Sequence, residues 1–303
     1  MDLNTYLLIW VCIFGLCFGS FYNVVILRSL SGESIVFPPS KCPKCGNKLK
    51  FWHNIPLLSY LILRGKCYFC HEKISIQYPL VEFITMLLFA FSFWKFGLTY
   101  TTLFVMFWLS CLLIMTATDI KEKLVDCNIA IAAEVSGIIF GWLTGGWHGA
   151  LFSLLGLVAG ALIMEIVARL GYLFAKTRAM GEADTYVAAA LGSIFGLYGI
   201  LKVLLISLAA SMIFVVPVFL WNKYKSGDKG TLISAVWFIV ALAVFQFAAQ
   251  NYLTLALLLL TGIFLVYFLL KQMGNIGDKS YFPYVPALAL AGLYAIFFIG
   301  VGI

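Results

Sequence analysis

The chain has 303 residues, 63% of them hydrophobic and 11% charged, with a mean hydropathy of +1.02. A soluble domain is nearer half apolar and a quarter charged. So much apolar surface excludes a soluble enzyme, a disordered chain and a secreted disulfide scaffold, and it requires the lipid bilayer as the main solvent. The net charge of +7, from 20 Lys+Arg against 13 Asp+Glu, reports topology in such a protein and not nucleic-acid binding.

No basic residue precedes Arg28. A secretory signal peptide needs a positive stretch ahead of its apolar run, so residues 5–27 are expected as a retained first transmembrane helix. Further apolar runs follow at 79–97, 99–118, 127–144, 148–168, 185–199, 200–221, 231–249, 252–270 and 284–303. A crossing takes roughly 20 apolar residues. The expected fold is an all-α polytopic membrane protein of about eight to ten transmembrane helices. The run 185–199 is short and rich in Ala and Gly, and forms either a half-helix or one span with its successor. Three regions are expected: a first helix, 1–27; a cytoplasmic module, 28–78; and a transmembrane bundle, 79–303. No internal repeat is visible. Gly137/Gly141 and Gly156/Gly160 have the spacing of close helix packing.

With the N-terminus outside, the loop 28–78 and the inner loops hold every basic residue except Lys95 and Lys202. That is the bias of a cytoplasmic face, and it places the module there.

Four of the eight cysteines, Cys12, Cys17, Cys111 and Cys127, lie in or beside apolar runs and read as small buried hydrophobes. The others form two Cys-x-x-Cys pairs, Cys42/Cys45 and Cys67/Cys70. Four thiolates so spaced close a tetrahedral zinc site, and Lys44, Lys48 and Lys66 favour the thiolate form. Four free thiols or two disulfides are the alternatives, the latter disfavoured on a reducing side. A four-cysteine site has no open coordination position, so its expected role is structural. His53 and His71 are spare ligand candidates.

Intramembrane carboxylates are costly, and each is a functional candidate. Glu82, Glu134 and Glu165 fall within expected spans; Asp119 and Asp184 fall at span ends, with Asp126 beyond Asp119 in the same inner loop. If Asp119 and Asp184 meet, both cannot ionise cheaply and the pair titrates as a unit. One then serves as general base on water while the other polarises a carbonyl. Alternatively, each is a helix-end residue paired with Lys121, Lys123 or Arg178.

Several blocks in order resemble the bacterial type IV prepilin peptidases, or leader peptidase/N-methyltransferases. These are Gly19-Ser20-Phe21-Tyr22-Asn23-Val24-Val25; the double Cys-x-x-Cys enclosing Ile55-Pro56 and Ser59-Tyr60-Leu61; Tyr78-Pro79-Leu80-Val81-Glu82; Asp119-Ile120-Lys121; Met180-Gly181-Glu182-Ala183-Asp184; and Pro283-x-x-Pro286-Ala287. The resemblance implies an aspartic endopeptidase with Asp119 and Asp184 as its catalytic pair. It also implies prepilin or pseudopilin substrates cut after a Gly on the cytoplasmic side of the inner membrane. The new N-terminus would then be methylated with S-adenosylmethionine, for which Glu82 is a candidate contact. Two positions depart from the pattern: Ala183 stands where Gly is usual, and Val125-Asp126-Cys127-Asn128 lacks the usual Pro. Other readings are a catalytically silent pilin-binding assembly factor and a proton-coupled transporter, the latter expecting acids near the bilayer midplane.

Overall fold

The computed structural model describes residues 2–37, 39–175, 181–226 and 284–300, with isolated positions between 226 and 284. Its helices are α1 (Leu3–Ser31), α2 (Leu58–Ile62), α3 (Gln77–Phe96), α4 (Tyr100–Glu122), α5 (Cys127–Ala175), α6 (Glu182–Ser226) and α7 (Val285–Tyr294). The last runs into a π-helical turn, Ala295–Ile299. Among the described residues there is no strand, only two isolated β-bridges in the loop after α1. The protein is an all-α multi-pass membrane protein.

Local chemistry sets the helix ends. Gly32 closes α1 in the left-handed conformation, its N–H bonded to the Arg28 carbonyl. Pro79 lies in the first turn of α3, where a missing N–H leaves nothing unpaired. Thr99 caps α4, its hydroxyl accepting the Thr102 N–H at 3.3 Å. Asp126 plays the same part ahead of α5: its Oδ1 accepts the Asn128 N–H at 2.9 Å. The Pro expected in that block is thus replaced by a capping carboxylate.

Among the described residues five helices, α1 and α3 to α6, are long and apolar enough to cross a membrane. Two of these fold back on themselves. In α5 the Ser153 hydroxyl donates to the Gly137 carbonyl at 3.3 Å, whereas a straight helix would hold residues so numbered about 24 Å apart. The reversal is at Gly146, with φ 60° and ψ −143°. In α6 the reversal is at Gly196, with φ 67°. Ala188 and Ile200, on its two limbs, both face Gly160 of α5. Only glycine adopts these dihedrals without strain. The expected spans 127–144 and 148–168 are therefore the limbs of α5. The expected break between 185–199 and 200–221 comes slightly earlier, at Gly196. The first limb of α6 covers about 21 Å, short of a full crossing, which decides for a half-helix over a merged span. The expected spans 231–249 and 252–270 fall almost wholly outside the described residues, as do Lys176, Arg178, Met180, Lys229, Lys271, Lys279 and Pro283.

Packing is closest where side chains are smallest. A Cβ on Gly156 would meet the Gly192 carbonyl, and one on Gly137 the Ser193 hydroxyl. Both glycine pairs serve the close helix approach that their spacing suggests. The core between α4, α5, α6 and α7 is filled by Trp108, Met115, Phe140, Leu191, Ile194 and Leu288. Trp108 Nε1 donates to Ser136 Oγ at 2.9 Å, which pairs its buried N–H. Outward faces carry Phe14, Phe107, Trp142 and Leu162, all exposed, as a lipid solvent requires.

Candidate active site and metal centre

Helix direction brings distant parts of the chain to one end of the bundle. The end of α1, the loop after it, the start of α3, the end of α4 and the starts of α5, α6 and α7 all lie there. Asp119 is in the last turn of α4 and Asp184 in the first turn of α6, and both are buried, at 4% and 5% exposure. They are close enough for the charge of Asp119 to act on Asp184.

Asp184 Oδ2 accepts the Gly181 N–H at 3.0 Å. The Val285 N–H of α7 approaches Asp119, and the Lys123 charge acts on it from the left-handed cap of α4. One oxygen of each carboxyl, Asp119 Oδ2 and Asp184 Oδ1, is buried without a hydrogen-bond partner. Buried carboxyl oxygens are normally paired, and unsatisfied ones at a shared site are suited to bind water or a polar substrate. Behind them, Tyr284 Oη and Ser207 Oγ are 2.7 Å apart and tie α7 to α6. Val285 and Tyr284 are site-forming residues that reading the sequence did not single out; their signal was the adjoining Pro-x-x-Pro block.

Ala183 is buried beside Asp184 in a helical turn and is not among the residues of positive φ. The position therefore does not demand glycine. Glu134 and Glu182 both stand near Tyr186, on the same end of α5 and α6. Glu165 pairs with Arg169 at 2.8 Å.

The first and third helices meet along the Gly-Ser-Phe block. Asn23, 2% exposed, donates from Nδ2 to the carbonyls of Gly19 at 3.2 Å and Tyr78 at 3.1 Å. Tyr22 donates to Ser110 Oγ at 2.8 Å, linking α1 to α4. Glu82 is buried, and its Oε2 accepts the Leu57 N–H at 2.8 Å; the Ser20 hydroxyl also bonds to it. Leu57 has φ 58°, a strained conformation for a branched side chain. Glu82 thus holds the loop in place.

In that loop the four sulfurs of Cys42, Cys45, Cys67 and Cys70 lie within 4.8 Å of one another, with Cys42 and Cys70 at 3.9 Å. A zinc tetrahedron with bonds of about 2.3 Å has edges of about 3.8 Å, so this donor set fits the ion. The Cys70 N–H directed at the Cys67 sulfur pulls that thiol down to about 7, from an ordinary value of 9.0. His53 and His71 stand outside the sulfur cluster.

The two knuckles are copies of one turn. Cys42 N–H bonds to the Asn47 carbonyl at 3.0 Å and Cys67 N–H to Glu72 at 2.8 Å. Gly46 and His71 both have positive φ, and Lys41/Lys48 and Lys66/Lys73 form matching bridges. The stretches 41–49 and 66–74 therefore correspond residue by residue as Lys-Cys-x-x-Cys-x-x-Lys followed by Leu or Ile. This short repeat corrects the expectation of none; it was masked because only the cysteines and lysines match.

Two family models match the chain: the Bacterial Peptidase A24 N-terminal domain over residues 13–96, and the Type IV leader peptidase family over residues 106–216. A prepilin leader peptidase/N-methyltransferase of Xanthomonas campestris is 35% identical over 241 residues, 72% of this chain and 82% of that protein. The chain belongs to the type IV leader peptidase family. Proteins of the same name from Myxococcus xanthus and Neisseria gonorrhoeae are 35% and 34% identical, over 65% and 61% of this chain. The match spans 58% of the Myxococcus protein and 73% of the Neisseria one. No solved structure matches. The first of the two family regions joins α1, the cysteine module and α3, which the contacts of Asn23 and Glu82 also hold together. The second begins within α4 and contains both aspartates.

Proposed function

We propose that this member of the leader peptidase family is an aspartic endopeptidase of the cytoplasmic membrane with Asp119 and Asp184 as its catalytic pair. The substrates are prepilins or pseudopilins, in keeping with the relatives' name. The observation that carries the reading is two buried carboxyls from α4 and α6 at one end of the bundle, each with an unpartnered oxygen.

The pair shares one proton. The ionised carboxylate takes a proton from water as its oxygen attacks the scissile carbonyl, and the protonated carboxyl donates to the carbonyl oxygen. Collapse of the tetrahedral adduct breaks the C–N bond: the proton taken from water passes to the leaving amine, and the adduct's hydroxyl returns its proton to the other carboxylate, restoring the shared proton. A Gly before the cut suits so enclosed a site, because it has no side chain to exclude. Lys/Arg counting puts this end of the bundle in the cytoplasm and the N-terminus outside. Glu182 and Glu33 are proposed to meet the basic leader, which enters from that side.

Zinc held by Cys42, Cys45, Cys67 and Cys70 would cross-link a loop too small to build its own core. Methylation of the new N-terminus, with S-adenosylmethionine as donor, is the second proposed activity. Glu82 is committed to Leu57 and Ser20, so we give it the part of a positioning carboxylate in the region serving that reaction and assign it no step. Incubating the membrane-embedded protein with a prepilin and S-adenosylmethionine tests both activities, with the product weighed by mass spectrometry. Loss of the leader and gain of a methyl group on the shortened chain is the expected result; an intact prepilin overturns the peptidase reading.

A further inference from the structure

The loop between α1 and α3 has a feature that neither the cysteines nor the aspartates use: part of it lies far down the side of the bundle. Gly19 of α1 is packed against Glu82 of α3, a Cβ there falling 2.6 Å from the Glu82 Cα. Arg28 is nine residues further along α1, about 13 Å nearer the end. It is the first basic residue of the chain and a natural marker of headgroup level. Yet Leu57 of the loop bonds to Glu82 at 2.8 Å. After the first cysteine knuckle the chain therefore descends below Arg28, to within reach of the Glu82 side chain, before climbing to the second.

The residues at that depth are suited to lipid. Helix α2, of sequence Leu-Ser-Tyr-Leu-Ile, leaves Leu58, Leu61 and Ile62 exposed at 56%, 69% and 76%. Just before it, Phe51 and Trp52 are 83% and 58% exposed. The Lys50 ammonium lies 5.3 Å from the Trp52 ring centre, an aromatic and a long cation of the kind that collects at membrane surfaces. Above them the loop 28–78 carries eight Lys/Arg against Glu33 and Glu72 alone. At the start of α3, Ile76, Leu80 and Phe83 are exposed as well, on a helix apolar enough to cross the membrane.

We propose that Phe51–Ile62 is an interfacial membrane element. Its apolar side chains lie in the acyl-chain boundary, while the lysines of the two knuckles rest on acidic phospholipid headgroups. The zinc module is thus seated on the bilayer and not suspended in water. This fixes its height relative to the aspartate end of the bundle, whatever the chemistry there.

The test uses the whole zinc-loaded chain in nanodiscs of mixed phosphatidylcholine and phosphatidylglycerol, with or without bromine atoms near the headgroup end of the acyl chains. The Trp52 emission is the difference between wild type and Trp52→Phe. Blue-shifted emission that falls at least twofold with brominated lipid is the expected result. Red, water-like emission insensitive to bromine overturns the proposal. So does emission that becomes shielded only when a prepilin is added, which would assign the face to a protein partner. Ile62→Trp in the Trp52→Phe background moves the reporter onto α2 and should be quenched at least as strongly. Omitting phosphatidylglycerol should weaken the quenching; unchanged quenching overturns the acidic-headgroup part.

Discussion

Gly19 and Glu82 are in backbone contact although they come from different helices: a Cβ on Gly19 would lie 2.6 Å from the Glu82 Cα. That contact brings the Glu82 carboxylate to Leu57 and so sets where the loop begins its return. Nothing at Gly19 can yield, because the obstacle is main chain. Gly19→Leu is expected to force α1 from α3, at a cost of about 1–3 kcal/mol or more, and to lower the melting temperature in detergent. Gly145 has no atom within 4 Å of its would-be Cβ and no positive φ, so Gly145→Ala should leave the melting temperature unchanged or slightly raised.

Glu82 and Leu57 make a second, separable test. Glu82→Ala removes the acceptor of a part-buried N–H, at a cost of about 1–3 kcal/mol, and frees a residue held at positive φ. Glu82→Gln keeps an acceptor oxygen and should lose less. Limited proteolysis reads the difference: faster cutting within residues 51–66 for the alanine variant, and near wild-type rates for glutamine.

The cysteine cluster should hold one zinc ion per chain by elemental analysis, and the double variant Cys42→Ser/Cys67→Ser should hold none. Protons compete with zinc for thiolates. Four thiolates bind the ion together, so it should stay bound at neutral pH and leave as the pH falls through the acid range. Stripping the metal should expose the loop to protease while the α4–α7 core keeps its helix content by circular dichroism.

Ala183 is in ordinary helical conformation. Ala183→Gly is therefore expected to bring no gain in cleavage and to lower stability by about 0.5–1 kcal/mol, the usual cost of glycine in a helix. A severalfold gain in rate would show that the position needs close backbone approach after all.

Much of this architecture is legible in the residues because lipid imposes simple rules. Apolar runs of crossing length marked α1, α3 and α4 and all but fixed their ends, and four cysteines in two short pairs marked the four-sulfur cluster. The reversals at Gly146 and Gly196 were half legible: a composition window sees the apolar runs on both sides, but one glycine among many does not announce a positive φ. What could not be read was the descent of the loop to Glu82. It depends on one hydrogen bond across 25 residues and on a strained Leu57, neither of which leaves a periodic trace. Likewise the sequence offered Asp119 and Asp184 as a candidate pair, but only tertiary packing brings the Val285 N–H beside Asp119 and leaves an oxygen of each unsatisfied.

The central claim is that these two carboxyls act together on the peptide bond. The most direct measurement compares wild type with Asp119→Asn and Asp184→Asn in membranes, each with a prepilin, with the product followed by mass spectrometry. Asparagine keeps the size of each side chain and removes the shared proton chemistry, so both variants should fold, bind zinc and lose cleavage by at least about a thousandfold. Cleavage that persists in either variant at more than a few per cent of the wild-type rate would contradict a catalytic pair at Asp119 and Asp184.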